Sequence, residues 1–147
     1  MNKNLLLIFL VVMLTGCLNF GEDIELSGKE MDSSVLTSVT KLTGVNFPGG
    51  TVGKEYIYFG SGIDNALAIK VSIPRDKKDE FLKNTIFTEG RSKEPYVQLG
   101  KRKSWWKVQK LTNPIHTIYD FPNGGMIECS VGEESNEIIV YLSWITV

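Results

Sequence analysis

The sequence predicts a single α+β domain, an antiparallel sheet of about five strands with two short helices packed on one face. Three observations lead to this prediction. Apolar and polar side chains alternate most regularly over residues 66–73, and three more strand candidates follow in the C-terminal third. Apolar residues recur at helical spacing only over short stretches. The length of 147 residues is in the usual range for one domain.

The N-terminus has the pattern of an export signal. Lys3 precedes an uninterrupted apolar run over residues 5–14. These ten residues would cover about 15 Å as a helix, against a hydrocarbon core of about 30 Å. The run is therefore too short to cross a membrane, and it predicts a signal peptide over residues 1–16. A plain secretory signal, cleaved after the small residues, is the alternative.

A cysteine motif follows the apolar run. Leu14-Thr15-Gly16-Cys17 resembles the lipobox of bacterial lipoproteins, and the resemblance covers the first seventeen residues. It implies that Cys17 is diacylglycerated and becomes the new N-terminus, so that acyl chains anchor the protein on a cell membrane. Leu18 stands where an Asp would retain a Gram-negative lipoprotein in the inner membrane. The resemblance therefore implies the outer membrane, facing the periplasm, if the organism is Gram-negative.

The region after the lipidation site is expected to lift the domain off the membrane. Residues 17–30 are predicted to form the lipidated N-terminus and a tether, which would span about 40 Å when fully extended. Residues 31–147 are predicted to form the globular domain. Its first element is a helix that Asp32 or Ser33 caps and that ends before Gly44.

The rest of the domain is predicted to consist of strands, loops and one more short helix. A β-hairpin is expected over residues 54–73, and a second short helix from Asp76 to about Thr85. The polar, basic stretch over residues 89–104 is expected to be mostly loop. The last third reads as three strands, which we predict over residues 115–121, 125–131 and 137–146.

The third strand of this group is apolar on both faces except at Ser143, which predicts a central strand. Glu133, Glu134 and Glu137 lie at the turn before it and are interpreted as a solvated, acidic hairpin tip.

Charge and cysteine content exclude several classes of function. Without residues 1–16, fifteen Lys and Arg face seventeen Asp and Glu, so a global basic field for nucleic-acid binding is missing. Once Cys17 carries lipid, Cys129 is the only other cysteine, and no intramolecular disulfide can form. Cys129 is expected to be a small buried core residue.

Catalysis and metal binding have little support in the sequence. His116 is the only histidine, and neither a nucleophile nor an orienting carboxylate lies at a recognisable spacing from it. No His/Cys pair has zinc-ligand spacing, so neither a metal nor a cofactor is expected.

The most informative local feature is the stretch from Lys101 to Lys110, with five positive charges, two tryptophans and no acid. Such a segment is suited to anionic headgroups, a glycan or a protein partner. The alternative places one tryptophan in the core and the other under lysine stems, with the charges merely solvated. The candidate binding residues are Lys101, Arg102, Lys103, Trp105, Trp106 and Lys107.

The order of elements also carries a resemblance. A helix, Phe47-Pro48-Gly49-Gly50, a hairpin, a short helix, a double Trp and a C-terminal strand are similar to the plan of other small bacterial lipoproteins, which implies no activity. The leading hypothesis is a lipid-anchored, non-enzymatic envelope protein that binds a protein partner as an inhibitor, immunity factor or assembly accessory. The alternatives are an envelope hydrolase that uses His116 and a purely structural lipoprotein.

Overall fold

The computed structural model describes residues 21–60, 64–94, 96 and 99–146, so the predicted signal peptide and Cys17 lie outside the described residues. Its centre is an antiparallel sheet in the order β1-β2-β3-β6-β5-β4. The α+β class is confirmed, with six strands instead of about five. The strands are β1 Ile24–Ser27, β2 Val52–Phe59, β3 Ala66–Ile73, β4 Thr112–Asp120, β5 Met126–Glu134 and β6 Glu137–Ile145.

β6 is the central strand, as its apolar pattern predicts. It pairs with β3 on one side and β5 on the other, and residues 138–144 are all buried. Both faces of the sheet are therefore covered at this position, which explains why β6 lacks the alternation of a half-buried strand.

β1 is the strand that the sequence did not reveal. Ile24–Ser27, predicted as part of the tether, pairs with β2 at the edge of the sheet. Contact with the domain begins even earlier, because a Cβ added at Gly21 would lie 2.6 Å from the carbonyl oxygen of Gly60. Asp23 Oδ1 also accepts a hydrogen bond from Gly60 N at 3.1 Å. The structure therefore places residues 21–30 in the domain and not in a tether.

Helix α1, Ser33–Thr43, begins and ends where the sequence predicts. Asp32 Oδ1 accepts hydrogen bonds from Ser34 N at 2.8 Å and Val35 N at 3.3 Å, satisfying two free donors of the first turn. Gly44 follows the helix at φ +71°, a left-handed conformation that favours glycine.

The second predicted helix is interrupted. A 3₁₀ turn over Arg75–Lys77 leads into α2, Lys78–Phe81, and a separate α3 covers Thr85–Thr88. Asn84 causes the interruption, because its backbone is extended rather than helical. Its Nδ2 donates a hydrogen bond to the Asn46 carbonyl oxygen at 3.0 Å, and its Oδ1 accepts one from Asn46 N at 2.7 Å. These contacts fix the break and leave two short helices.

The two faces of the sheet are covered differently. α1, α2 and α3 pack on the first face, where Val39, Phe81 and Ile86 join the larger core with Cys129. Cys129 is fully buried, as expected. The second face is covered by residues 99–111, which contain 3₁₀ turns over Leu99–Arg102 and Val108–Lys110.

Candidate functional site

The basic, tryptophan-bearing stretch lies across the second face of the sheet, and we name residues 99–111 the cover segment. Its apolar side chains form a second core with residues of β2, β3 and β6. The segment is held by side-chain packing, since its regular structure is limited to two short 3₁₀ turns. The residues of this second core include Trp106, Val108, Leu111, Ile57, Ala68, Ile139 and Tyr141.

Trp106 is the centre of that packing and is only 6% exposed. Its ring meets Tyr141 edge-on with the centroids 5.2 Å apart. Gly100 lies against the indole so closely that an added Cβ would come within 2.2 Å of it. Trp105 is half-buried and packs edge-on against Trp106 at 5.6 Å. This burial matches the alternative that places one tryptophan in the core.

The charged residues of the cover segment point away from this core. Lys101, Arg102 and Lys110 are exposed and Lys107 is half-buried, and none has an acidic partner among the described residues. We name these four residues the cationic surface. Lys103 differs, because its Nζ lies 2.7 Å from Glu25 Oε2 on β1. Of the six candidate residues, three therefore belong to the cationic surface.

A polar cluster lies beneath Trp105. Glu134 binds Lys70 Nζ through both carboxylate oxygens at 3.1 Å, and it accepts a hydrogen bond from the Tyr141 hydroxyl at 2.6 Å. Lys70 Nζ also lies 5.2 Å above the Tyr141 ring. Burial, followed by the bond to Glu134, raises the pKa of Tyr141 well above its usual range. These groups satisfy one another, so the cluster stabilises the second face and offers no free base.

The acidic hairpin tip is more than a solvated turn. Glu133 Oε1 lies 2.6 Å from Arg75 Nη1, and Glu137 Oε1 lies 3.0 Å from Lys54 Nζ. With Glu134 also paired, every carboxylate of the tip binds a cation from a distant part of the chain. The turn itself uses left-handed backbone at Ser135 and Asn136. The tip therefore ties the β5–β6 hairpin to the rest of the domain.

His116 lies on β4 and borders a pocket of about 220 Å³. Its Nδ1 lies 2.8 Å from Ser130 Oγ, on the residue directly opposite it on β5. A histidine beside a serine is the pairing a hydrolase needs. However, Ser130 is only 1% exposed, so a substrate has no access to its hydroxyl. The contact satisfies a buried serine and provides no accessible nucleophile.

Two residues that matter at this site, Lys70 and Tyr141, were not singled out from the sequence. Lys110 was identified as the end of the basic stretch but was not among the six candidate binding residues. Lys70 is the single charged residue of β3, a signal that is visible in the sequence. Tyr141 has no such signal, because its partner depends on the pairing of strands.

In the part of the chain that the structure describes, no three His, Cys, Asp or Glu residues lie close enough together to hold a metal ion. Likewise, none of the described helices is long and apolar enough to cross a membrane. Comparison with known proteins found no matching family model, curated protein or solved structure. The residues and charges of the site are therefore the basis for its proposed function.

Proposed function

We propose that this protein is a lipid-anchored lipoprotein of the bacterial envelope. The lipobox-like residues before Cys17 support this proposal, together with an apolar run too short to span a membrane. Leu18 favours the outer membrane, facing the periplasm, in a Gram-negative organism. The domain acts as a non-enzymatic accessory module that binds an acidic partner through the cationic surface.

One observation carries the binding role. The cationic surface presents four positive side chains that meet no acidic partner among the residues the structure describes, on a segment that Trp106 fixes to the sheet. Positioned, unpaired charges attract an acidic partner and set the orientation in which it binds. Inhibitors, immunity factors and assembly accessories all act through such contacts. An acidic protein would meet the requirement, and so would an anionic surface.

A charge-neutralised variant tests the binding role. We expect K101Q/R102Q/K107Q/K110Q to lose most of the envelope components that wild type retains in a pull-down from envelope extract. The matched control is K29Q/K41Q/K78Q/K83Q, which removes the same charge from three exposed and one half-buried lysine outside the cover segment. If both variants recover the envelope components equally well, the cationic surface is not the binding site. Circular dichroism of each variant confirms that the fold is intact.

The anchor is tested separately. Wild type is expected to incorporate labelled palmitate and to fractionate with membranes, and globomycin is expected to block its processing. Cys17→Ser should abolish the label without changing the domain. A Cys17→Ser protein that still carries labelled palmitate would show that the lipoprotein proposal is wrong.

A further inference from the structure

The lipid anchor of the proposed function would leave the domain very little freedom. Contact with the domain begins at Gly21, which packs against Gly60. Gly21 is four positions after Cys17 in the sequence, so the connection spans at most about 13 Å at 3.3 Å per residue. A domain of this size has a radius of gyration of about 14 Å and is roughly 35 Å across. The connection is much shorter than the domain, so part of the domain surface must lie near the headgroups.

The charge distribution distinguishes the faces of the domain. The cover segment on the second face contains five of the sixteen Lys and Arg of the chain and none of its seventeen Asp and Glu. The rest of the chain is correspondingly acidic. Near Gly60, at the end of the sheet closest to the anchor, Glu22 and Asp64 are exposed. An anionic surface would therefore repel this end and attract the cover segment.

The cover segment is also connected to the strand nearest the anchor. Lys103 Nζ binds Glu25 on β1, the first strand after the connection. β1 is the edge strand of the sheet, so a tilt about this edge would bring the second face toward the membrane. Electrostatic attraction falls off over about 8 Å at physiological salt, which is shorter than the extended connection. The cations are therefore attracted to the headgroups only when the second face lies against the membrane.

On these grounds, and resting on the proposed lipid anchor, we infer that the cationic surface binds the anionic headgroups of the membrane that carries the anchor. The domain then lies on its second face, with Lys101, Arg102, Lys107 and Lys110 against the lipid. The tryptophans do not enter the membrane in this arrangement. They fix the cover segment to the sheet, and the cations make the contact. An acidic protein as the occupant of this face is the competing outcome.

Contact quenching in protein-free vesicles tests the inference. The lipidated protein, purified from membranes, is labelled at an introduced cysteine, since Cys17 is blocked by lipid and Cys129 is buried. S104C places the probe in the cover segment, and S38C places it on α1 on the opposite face; both positions are exposed. Vesicles contain phosphatidylcholine alone or with phosphatidylglycerol, and a nitroxide-headgroup lipid quenches probes at contact range.

We expect quenching at Ser104→Cys to be at least about twofold stronger on phosphatidylglycerol vesicles than on neutral ones, and to weaken at high salt. The Ser38→Cys probe should show no such difference. The K101Q/R102Q/K107Q/K110Q change should remove the gain, and K29Q/K41Q/K78Q/K83Q should retain it.

Three outcomes would overturn the inference. One is equal quenching at Ser104→Cys on both kinds of vesicle, and another is equal loss in the control variant. The third is a pull-down that depends on the cationic surface without any vesicle response, which assigns the surface to a protein partner and leaves the proposed function standing. Palmitate labelling that survives Cys17→Ser would instead contradict the proposed lipid anchor, so the failures of the two proposals can be distinguished.

Discussion

Trp105 and Trp106 are neighbours in sequence, yet they have different environments. Trp106 is 6% exposed and packs on Tyr141, whereas Trp105 is half-buried over the polar cluster. Five cations lie within four positions of a tryptophan, a composition that suggests a solvent-facing surface. The buried ring shows that composition alone does not place a side chain inside or outside.

We predict that Trp106→Ala destabilises the domain by about 3–5 kcal/mol, the usual cost of removing a large buried aromatic side chain. Trp105→Ala should cost about half as much, because less of its surface is buried. Urea unfolding followed by circular dichroism measures both, with Lys101→Ala as a neutral control. If the two tryptophan variants are equally stable, Trp106 does not fix the cover segment.

The contacts within the polar cluster could not be predicted from the sequence. Lys70 and Glu134 are 64 positions apart and meet because β3 and β5 flank the same central strand. Each charge is visible in the sequence, but the partner of each depends on sheet register, which one sequence does not specify. The acidic hairpin tip is exposed at Glu133 and Glu137, in agreement with its interpretation as a solvated turn, but the ion pairs of these two residues could not be predicted for the same reason.

The elements that could be predicted are those with local signals. α1 has a capping aspartate at Asp32, apolar residues at helical spacing and a terminal Gly44, and its bounds agree with the prediction. β1 has only four residues, too few for alternation to stand out, and tertiary pairing with β2 defines it. The break at Asn84 depends on Asn46, 38 residues earlier, and was equally invisible.

The cap of α1 has a testable pH dependence. Hydrogen bonds from Ser34, first through its side chain and then its backbone, lower the pKa of Asp32 in the folded protein. A lowered folded pKa means that the cap contributes stability above the unfolded pKa of about 3.9 and loses it as the pH falls through the folded pKa. Glu133, whose pKa Arg75 lowers, acts in the same direction.

We expect Asp32→Ala to lower the thermal unfolding midpoint by about 4 °C at pH 7, because the helix loses its cap. Asp32→Asn should stay close to wild type at pH 7, since asparagine also caps helices. Its deficit relative to wild type should shrink further as the pH falls through the lowered pKa of the folded aspartate, where the wild-type cap becomes protonated. Equal losses for both variants at pH 7 would contradict the capping role.

At the scale of the whole molecule, stability must come from one sheet packed on both faces. Cys129 lies fully buried on β5, next to the central strand, and burial raises the pKa of its thiol well above its usual range. Its reactivity therefore reports on opening of the sheet.

If Cys17 carries lipid as proposed, we predict that the native protein shows no reaction with a thiol reagent, and that one thiol per chain reacts after unfolding in denaturant. The unlipidated chain should release a second thiol, from Cys17. Cys129→Ser in the lipidated protein is the control and should show none. Rapid reaction of Cys129 under native conditions would show that the sheet opens locally.

The strand order has a consequence for when the domain can complete its fold during synthesis. β1, β2 and β3 form one antiparallel unit and β4 and β5 another, and β6 alone joins them. β6 is also synthesised after the other five strands, so the sheet cannot close until its residues have emerged. The unit of β1, β2 and β3 and the unit of β4 and β5 can each pair before β6 is made, but they form one core only when β6 inserts between β3 and β5.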